Sequence, residues 1–273
     1  MTYATLMVHL DAGCTNAPLL AIAASQAERF AAGVIGIAAG QPAQIGNCDG
    51  FYSGDFAVAE RDIVDDELKR SETEFRDCVA LEPYVLEWRS IPALEPIAHV
   101  IAAEARSADL LITGVGKGSG NNGNTHADTG DLVLRAGRPV LVVPPTAAPG
   151  VFETVMVAWN DSRECRRAIA DALPLLKRAD HVVVAAVTAE MGDVHIEVRQ
   201  VIAWLERHGV SADRHLAPLG GNITERLSKI ATEHDADLIV AGAYGHSRIR
   251  EWAFGGVTRD MLLSDNRCAL LSN

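Results

Sequence analysis

The sequence predicts an α/β protein built from two similar halves, each with a parallel sheet that has helices on both faces. Three observations support this prediction. Short apolar segments alternate with longer segments of helical periodicity, which is typical of parallel strands joined by crossover helices. The alternation recurs once along the 273 residues, and one long repeat indicates a duplicated domain rather than a solenoid. A proline-rich stretch at 144–150 cannot continue a strand and indicates a linker.

Composition narrows the classes of function. The formal net charge is −12 at pH 7, so the surface repels nucleic acids and anionic membranes. No apolar segment is long enough to span a bilayer, and the first eleven residues lack the basic start of a secretory leader. The five cysteines form no CxxC pair, and an odd number without a leader is typical of reduced thiols. We therefore expect a cytoplasmic protein without nucleic-acid or membrane partners.

The repeat itself sets the expected domain boundaries. It is visible in three pairs of segments: 6–11 with 155–160, 103–114 with 231–242, and 138–143 with 267–272. The middle pair shares an alanine-rich helix end, an Ala-Asp step, an apolar strand and a glycine. We therefore predict an amino-terminal domain over 1–144 and a carboxy-terminal domain over 151–273.

The first half follows this plan with a longer middle section. Strands are predicted at 6–11, 109–114 and 140–143, and helices at 18–31, within 58–88, at 94–108 and at 131–136. The segment 40–55 contains four glycines and no clear periodicity, so we predict a loop there.

The second half gives a clearer alternation. Strands are predicted at 155–159, 181–187, 212–217, 238–241 and 268–271, and helices at 163–178, 194–208, 224–234 and 257–264. Ser162 or Asp161 is a suitable N-cap for the first of these helices, and Asn222 for the third. Gly209 suits the residue after a helix end. Pro174 predicts a kink or a break in the first helix.

A glycine-rich loop follows the apolar segment 238–241. Gly242 and Gly245 are followed, after nine residues, by Gly255 and Gly256. Glycine allows a positive φ and lets backbone amides approach a ligand without a Cβ in the way. Such a loop between a strand and a helix start is suited to binding an anion, and ligands of open α/β sheets lie at the carboxyl ends of the strands. The loop therefore predicts a phosphate-bearing ligand.

The spacing Gly-x2-Gly-x9-Gly, followed by Gly-Val-Thr, resembles the nucleotide-binding signature of the universal stress protein family (UspA-like). The resemblance covers the second half well and the first half more loosely. It implies two tandem flavodoxin-like (HUP-type) domains, each a five-stranded parallel sheet with strand order 3-2-1-4-5. It also implies a stress-response protein that binds ATP, with Mg²⁺, or a related adenine nucleotide.

The resemblance also assigns a nucleotide site in the second half. Its residues are Asn160, Val187, Gly242, Gly245, Gly255, Gly256, Val257 and Thr258. Two of them depart from the family pattern. Asn160 stands where family members have an aspartate, and Gly256 stands where they have Ser or Thr, which loses a hydroxyl contact of about 1 kcal/mol. The alternative is that the glycines only allow the loop to pack closely on the sheet.

The first half departs further from that pattern. Asp11 stands at the family's aspartate position, but Lys117 falls where the second glycine belongs, and His126 and Ala127 replace the later pair. We therefore predict that this half does not bind ATP in the manner of the family and has a structural role. The segment 118–123 satisfies GxGxxG, but no helix opens from it as the dinucleotide fingerprint requires, so we predict a polar loop.

Catalytic and metal-binding patterns are missing from the sequence. The histidines show neither HxxxH nor HExxH spacing, and no serine lies in a G-x-S-x-G frame. We therefore assign no catalytic residue and no metal ligand, and expect a regulatory or protective protein rather than an enzyme. Two alternatives remain open: an interaction or dimerisation module that binds no nucleotide, and a weak ATPase.

Each half ends in an apolar strand, 140–143 and 269–271, and an exposed apolar edge favours pairing. Members of the family dimerise through this terminal strand. In a tandem chain the two terminal strands can pair with each other, which predicts an intramolecular pseudo-dimer, with a homodimer of the whole chain as a further alternative.

Overall fold

A computed structural model describes residues 2–41, 54–79, 86–116, 126–189, 191–243 and 267–273. Within these ranges the strands are β1 (Thr5–His9), β2 (Gly33–Gly40), β3 (Leu86–Pro92), β4 (Leu110–Gly114), β5 (Val140–Val143), β6 (Thr154–Ala158), β7 (His181–Thr188), β8 (Asp213–Pro218), β9 (Leu238–Gly242) and β10 (Cys268–Ser272). The helices are α1 (Ala17–Phe30), α2 (Gly54–Cys78), α3 (Ile97–Glu104), α4 (Thr129–Arg135), α5 (Arg163–Leu176), α6 (Met191–Arg207) and α7 (Ile223–Glu233). A single 3₁₀ turn, Ala105–Ser107, extends α3.

The strands form one ten-stranded sheet in the order β3-β2-β1-β4-β5-β10-β9-β6-β7-β8. Each half therefore has its strands in the predicted order 3-2-1-4-5, which confirms the α/β fold class. The pairs within each half are parallel, whereas β5 and β10 pair antiparallel. Two five-stranded sheets were expected, and this antiparallel pair joins them into one. The boundaries at 144 and 151 stay a prediction, because no break in the sheet marks them.

The register shows that the two halves are equivalent residue by residue around the point where strand order reverses. In the first half, β1 pairs with β4 so that Leu6 lies beside Leu110 and His9 beside Thr113. In the second half, β6 pairs with β9 so that Ala158 lies beside Ala241. Because ligands of such sheets lie at the carboxyl ends of the central strands, His9 and Ala158 occupy matching places near the two expected crevices.

Alternating side chains of the strands supply two layers of core. On one face, a single apolar cluster that includes Val8 and Val157 lies under α1, α2, α5 and α6 and crosses both halves. On the opposite face, one cluster that includes Met7 lies under α3 and α4, and another that includes Met156 lies under α7. The strands are buried on both faces by helices, as parallel sheets require.

Two carboxylates perform the same task in the two halves. Asp109 Oδ2 accepts hydrogen bonds from the backbone N–H groups of Ala4 (2.8 Å) and Thr5 (3.0 Å), at the start of β1. Asp237 Oδ2 accepts them from Glu153 (2.9 Å) and Thr154 (3.3 Å), at the start of β6. The aspartate of the repeated Ala-Asp step is therefore a structural clamp. It lies just before β4 or β9 and binds the start of the neighbouring strand, β1 or β6.

The two halves also contact each other beside the β5–β10 pair. Arg29 and Arg178 each donate a hydrogen bond to the other's backbone carbonyl, and the Arg178 guanidinium lies 4.7 Å from the centre of the Phe30 ring. Tyr3 of the first half donates to the carbonyl of Asp171 in the second half at 2.6 Å; within the second half, Ser272 donates to the carboxylate of Asp171 at 2.9 Å. The reciprocal arginine contacts show that the halves are related approximately by a two-fold rotation.

Most predicted boundaries and caps in the second half are confirmed. Ser162 caps α5 by accepting from the N–H of Cys165, and Asn222 caps α7 by accepting from that of Thr224. Gly209, two residues after the end of α6, has a φ of +80°. The predicted break at Pro174 is wrong, because α5 continues through it to Leu176 and the proline is close to the helix end.

The first half departs more from the sequence-based expectations. Strands β2 and β3 were not assigned. The helical region predicted within 58–88 is confirmed as α2, which ends at Cys78, whereas Trp88 lies in β3. The loop predicted for 40–55 is wrong at both ends, because Gly40 closes β2 and α2 begins at Gly54; the residues between, 42–53, lie outside the described part. The predicted helix at 257–264 also lies outside it. No helix among the described residues is long and apolar enough to cross a membrane.

Candidate functional site

The candidate crevice of the second half opens at the carboxyl ends of β6, β7 and β9. Ala158, the last residue of β6, and Val187, near the end of β7, pack in the same cluster as Ala241 of β9. These side chains are small or aliphatic and point to the face covered by α7. The described strand ends at this crevice are therefore apolar and carry small or aliphatic side chains, with Leu227 of α7 in the same cluster, adjacent to the place where the chain leaves β9.

Asn160 lies at the mouth of this crevice and is exposed. Its Oδ1 accepts a hydrogen bond from the Ser162 hydroxyl at 2.7 Å, while the Ser162 oxygen itself accepts from the N–H of Cys165 at 3.1 Å. The cap of α5 therefore fixes the orientation of the Asn160 amide, because the serine can donate only its own hydrogen. The Nδ2 group of Asn160 faces outward as a donor, where an aspartate would offer only acceptors.

Gly242 has a packing reason for being glycine. A Cβ at this position would lie 2.3 Å from the backbone nitrogen of Cys165 and 2.6 Å from the carbonyl carbon of Glu164. The first turn of α5 therefore packs directly on the end of β9. The next amide, that of Ala243, donates to the carbonyl of Ser272 at 2.8 Å. At Gly242 the close-packing alternative accounts for the missing side chain.

The other predicted site residues fall outside the described part of the chain. They are Gly245, Gly255, Gly256, Val257 and Thr258. The structure thus brings together Asn160, Val187 and Gly242 at one edge of the sheet, as expected for a single site, and the role of all eight residues stays a prediction.

The crevice of the first half is filled by polar side chains. His9 is buried at the place of Ala158, and its Nδ1 lies 3.0 Å from the Thr113 hydroxyl, which takes the place of Ala241. Asp11 lies beyond them, with Oδ1 3.8 Å from His9 Nε2 and Oδ2 3.3 Å from His126 Nδ1. His126, which stands in the sequence where the second half has Gly255, therefore occupies part of this crevice.

The titration of these groups is coupled. Complete burial lowers the pKa of His9, although the Asp11 carboxylate opposes the effect. Burial would raise the pKa of Asp11, but the hydrogen bond with His126 and the charges of both histidines hold it below its usual value. The hydrogen bond with Asp11 raises the pKa of His126, against the effect of its partial burial. At neutral pH His9 is therefore uncharged and Asp11 is a carboxylate.

The loop after β4 is also engaged internally in this half. The Gly116 N–H donates to the Thr129 hydroxyl at 2.8 Å, and a Cβ at Gly116 would lie 2.0 Å from the carbonyl oxygen of Ala127. The amide is thus used to hold the loop against the start of α4 and is not free for an anion. Whether the first half binds ATP as its relatives do stays a prediction.

Comparison with known proteins identifies the second half. Residues 152–264 match the model of the universal stress protein family. The second half is a universal stress protein domain. The match covers the strands β6 to β9 and the glycine-rich loop, so it assigns this half to a family of stress-response proteins.

Solved structures extend the similarity of fold beyond the universal stress protein domain. The whole chain is similar to a universal stress protein from Archaeoglobus fulgidus DSM 4304, with a TM-score of 0.74, 12% identity, and 98% of this chain and 96% of the other covered. It is also similar to a functionally unknown protein from Pseudomonas aeruginosa PAO1, with a TM-score of 0.61, 16% identity, and 99% and 92% covered. At these identities the shared property is the fold. The chain matches no curated protein sequence.

The universal stress protein domain has a second concave feature that the sequence did not reveal. A cavity of about 530 Å³ opens between α5 and α6, on the opposite face of the sheet from Ala158. Its walls include Trp159 and Trp204, with Arg166 and Asp161 at the rim. Arg166 forms an ion pair with Asp161. The indole Nε1 of Trp159 is buried and has no acceptor among the described residues. No spacing of residues in the sequence predicts that α5 and α6 line a cavity, so it is seen only in the packed structure.

Metal binding has no support in the described ranges. No three His, Cys, Asp or Glu side chains there are grouped so that they could hold a metal ion.

Proposed function

We propose that the universal stress protein domain binds ATP, with Mg²⁺, or a related adenine nucleotide, in the crevice at the carboxyl ends of β6 and β9. The protein then acts in the stress response through occupancy of this site, as a regulatory or protective protein. The observation that carries the proposal is that small side chains line this crevice where the first half fills the matching space with polar groups.

The contrast is clearest at two matched positions. Ala158 and Ala241 lie side by side near the ends of β6 and β9, and both pack in the apolar cluster under α7. In the first half the same places hold an imidazole and a hydroxyl that contact each other. A ligand base needs an apolar surface of this kind, with a few polar groups at its edge. Ala158, Ala241 and Val187 offer such a surface, and Asn160 offers an amide donor beside it.

The donor at Asn160 suits an adenine nucleotide in a specific way. Its Nδ2 can pair with an acceptor, such as a ring nitrogen or a ribose oxygen, because its Oδ1 is already bonded to Ser162. An uncharged amide also avoids repulsion of the phosphates in a chain with a net charge of −12. The phosphates would be held by the amides of the loop that contains Gly245 and Gly255, together with the Thr258 hydroxyl.

Turnover of the nucleotide is not expected at this site. The described side chains around the crevice, Asn160, Val187, Ala158 and Ala241, include no group that transfers protons near neutral pH. We therefore expect a bound nucleotide to persist as a signal. A weak ATPase activity would appear as phosphate release above the rate in buffer, and it would require a catalytic group from the loop after Ala243.

Isothermal titration with ATP and Mg²⁺ tests this proposal. We expect binding in the wild-type chain, and its loss in Gly245→Val, because the new side chain blocks the approach of the loop to the phosphates. In Ala158→His the imidazole should fill the base pocket and weaken binding at least 10-fold. The fold tolerates histidine at the matched position, so a stable variant is expected; circular dichroism and thermal unfolding check this.

The matched control is His9→Ala, which changes the equivalent position of the first half. It should leave nucleotide affinity unchanged. Absence of heat and of thermal stabilisation at millimolar ATP in the wild type would contradict the proposal. That result would favour the second candidate, an interaction module of the same fold that acts through its surface.

Assembly and location complete the proposal. Because β5 and β10 already pair within the chain, we expect the fused pair to serve as the dimer of this fold. Sedimentation at micromolar concentration should give the mass of one chain; the alternative is a homodimer of two whole chains. With no membrane-spanning helix among the described residues, we expect the protein to act in the cytoplasm.

A further inference from the structure

Three side chains in the first half form a row that the sequence does not reveal. The Cys14 thiol lies 3.8 Å from Nε2 of His126, and Nδ1 of the same ring lies 3.3 Å from the Asp11 carboxylate. Cys14 is exposed, whereas the side chains of His126 and Asp11 are each 16% exposed. A nucleophile, a base and a carboxylate that orients the base are thus arranged in sequence, with the nucleophile toward solvent.

The turn that carries Cys14 is held rigidly. The buried side chain of Asn16 donates to the carbonyls of Asp11 (3.2 Å) and Cys14 (3.1 Å) and accepts from the Asp11 N–H (3.1 Å). Glu74 accepts from both the backbone and the side chain of Asn16, which ties the turn to α2. Gly13 adopts a φ of +77°, which an L side chain rarely adopts. The position of the thiol relative to His126 therefore does not depend on a free loop.

A second observation at this place is independent of the cysteine. The Nε2 of His9, on a side chain that is 1% exposed, has no hydrogen-bond partner among the described residues, and the same holds for the Oδ1 of Asp11 that faces it at 3.8 Å. Leaving buried polar atoms unpaired costs about 1–3 kcal/mol each. Such a cost is typical of functional sites rather than of a purely structural core.

We propose that Cys14, His126 and Asp11 form a nucleophilic site that transfers the acyl group of an uncharged ester or thioester to water. In this site Cys14 is the nucleophile and His126 is the general base. Asp11 is a positioning residue that orients His126. The proposal does not rest on nucleotide binding in the other half.

The reaction has two balanced steps. In the first, His126 Nε2 takes the proton of Cys14 as the sulfur attacks the carbonyl carbon; the bond to the leaving alcohol or thiol breaks, and His126 returns the proton to it. In the second, a water molecule gives a proton to His126 and attacks the acyl-cysteine thioester. The carbon–sulfur bond then breaks, the carboxylic acid leaves, and the proton returns to sulfur. Water is the only co-reactant.

The charges around the site favour an uncharged substrate. Besides Asp11, which follows β1, Glu67 of α2 lies close to the turn, with its Oε1 3.0 Å from where a Cβ of Gly13 would be. Burial, Asp11 and Glu67 all raise the pKa of Cys14, so the resting site holds a thiol. An anionic substrate would be repelled by these carboxylates. Because the resting group is a thiol, a base must remove its proton during the attack, and His126 is placed to do so.

The other cysteines in the described part of the chain provide internal controls. Cys165 and Cys268 are buried, and burial raises the pKa of their thiols to about 11 and about 12. Cys78 is exposed like Cys14, and burial, Glu74 and Asp77 raise its pKa. The hydrogen bonds of the described residues include none between Cys78 and an imidazole. Cys78 therefore matches Cys14 in exposure and in the direction of its pKa shift, but it lacks the base.

The experiment uses p-nitrophenyl acetate with the full-length chain. We expect nitrophenolate release, a transient gain of one acetyl group by mass spectrometry, and location of that group on the peptide with Cys14. Cys14→Ser should remove the acetyl-cysteine, and His126→Gln should lower the rate about 100-fold at pH 7. Cys78→Ser should leave the rate unchanged.

The pH profile separates catalysis from a structural effect. With His126 present, the rate should rise as that imidazole loses its proton, above pH 6.5, under the influence of Asp11, His9, Glu67 and Cys14. With His126→Gln, the rise should move to above pH 9, where the thiol itself ionises. In Asp11→Asn the first rise should shift to lower pH. Release that is unchanged in Cys14→Ser, or acetyl groups found equally on Cys14 and Cys78, would overturn the proposal.

Discussion

At matched places beside the point of strand reversal, the first half has His9 and Thr113 and the second half has Ala158 and Ala241. The backbone around these pairs has the same register, and the strands lie in the same order. The identity of two neighbouring side chains therefore decides whether polar groups or methyl groups lie at this place in each half. The comparison teaches that this fold fixes the position of a site, while a few residues at the strand ends decide its chemistry.

Glycine gives a second comparison, because two glycines at matched positions differ in how closely they are packed. Gly114 and Gly242 close β4 and β9, and both precede the loop that follows the strand. Among the described residues, a Cβ at Gly114 would meet only Asp11 Oδ2, at 3.8 Å, whereas a Cβ at Gly242 would enter the backbone of α5. Glycine at the same position of the repeat is thus required by packing in the second half, whereas in the first half a side chain would make only an ordinary van der Waals contact with the described residues.

The largest expected effect comes from replacing each of these two glycines by alanine. Gly242→Ala should lower the free energy of unfolding by about 3 kcal/mol, because the backbone atoms it meets cannot move aside as a side chain could. Gly114→Ala, the matched control, should change it by less than about 1 kcal/mol. Urea unfolding measures both. Equal effects in the two variants would mean that the first turn of α5 does not rest on β9.

The paired carboxylates should give the next largest effect. Asp109→Ala and Asp237→Ala each leave two backbone N–H groups without their acceptor, and each should cost about 2 kcal/mol. The loss should be similar in the two halves, since the bonds are similar. Thermal unfolding checks the pair, with the asparagine variants as controls that keep an acceptor oxygen. A difference of more than a factor of two would show that the clamp works in one half only.

A smaller effect, specific to the first half, depends on pH. Because the folded pKa of Asp11 lies below its usual 3.8, its stabilising effect is present above that pH and is lost on acidification through the folded value. Because the folded pKa of His126 lies above its usual 6.5, its effect is present below pH 6.5 and is lost as pH rises through the folded value.

The stabilisation by this pair should therefore be greatest between the two usual values, at about 1 kcal/mol. The measurement is the difference in unfolding free energy between the wild type and His126→Gln from pH 3 to pH 9. Asn160→Ala, at the matched position of Asp11, should show no such pH dependence. A difference that stays constant across the range would contradict the coupled pair.

The smallest effect concerns the contact between the halves. Arg29→Ala and Arg178→Ala should each lower stability by about 0.5 kcal/mol, because the reciprocal bonds are exposed. Since each arginine donates to the other's carbonyl, the double variant should lose less than the sum of the single ones if the contacts reinforce each other. Denaturant unfolding of the four chains gives the coupling energy. Strict additivity would mean that the two bonds form independently.

Much of the architecture was predictable, because it depends on patterns that lie within short stretches of sequence. The alternation of strands and helices in the second half, the caps Ser162 and Asn222, and the repeat around Asp109 and Asp237 all follow from local chemistry. The strand order follows from these elements together with the resemblance. The nucleotide site stays a prediction; of its residues, the structure describes Asn160, Val187 and Gly242, which lie at the same rim of the sheet.

What was missed depends on contacts between distant residues. Strand β2 is rich in glycine and alanine, which have low strand propensity. Its Gly36 is required because the rings of Trp88 and Phe75 lie within 3 Å of where a Cβ would be. The row from Cys14 to His126 joins residues 112 positions apart, and no spacing rule covers that separation. A sequence shows such groups only after the fold has brought them together.

The antiparallel pairing of β5 with β10 affects how the crevices of the two halves can evolve. Since strands run parallel within each half, the pairing makes the two sets of carboxyl ends open at opposite rims of the sheet. In an assembly of identical subunits, every inherited change appears in both copies at once. Here separate parts of the sequence encode the two rims. One rim can therefore keep its original ligand while the other acquires a new function, and the β5–β10 pair stays unchanged.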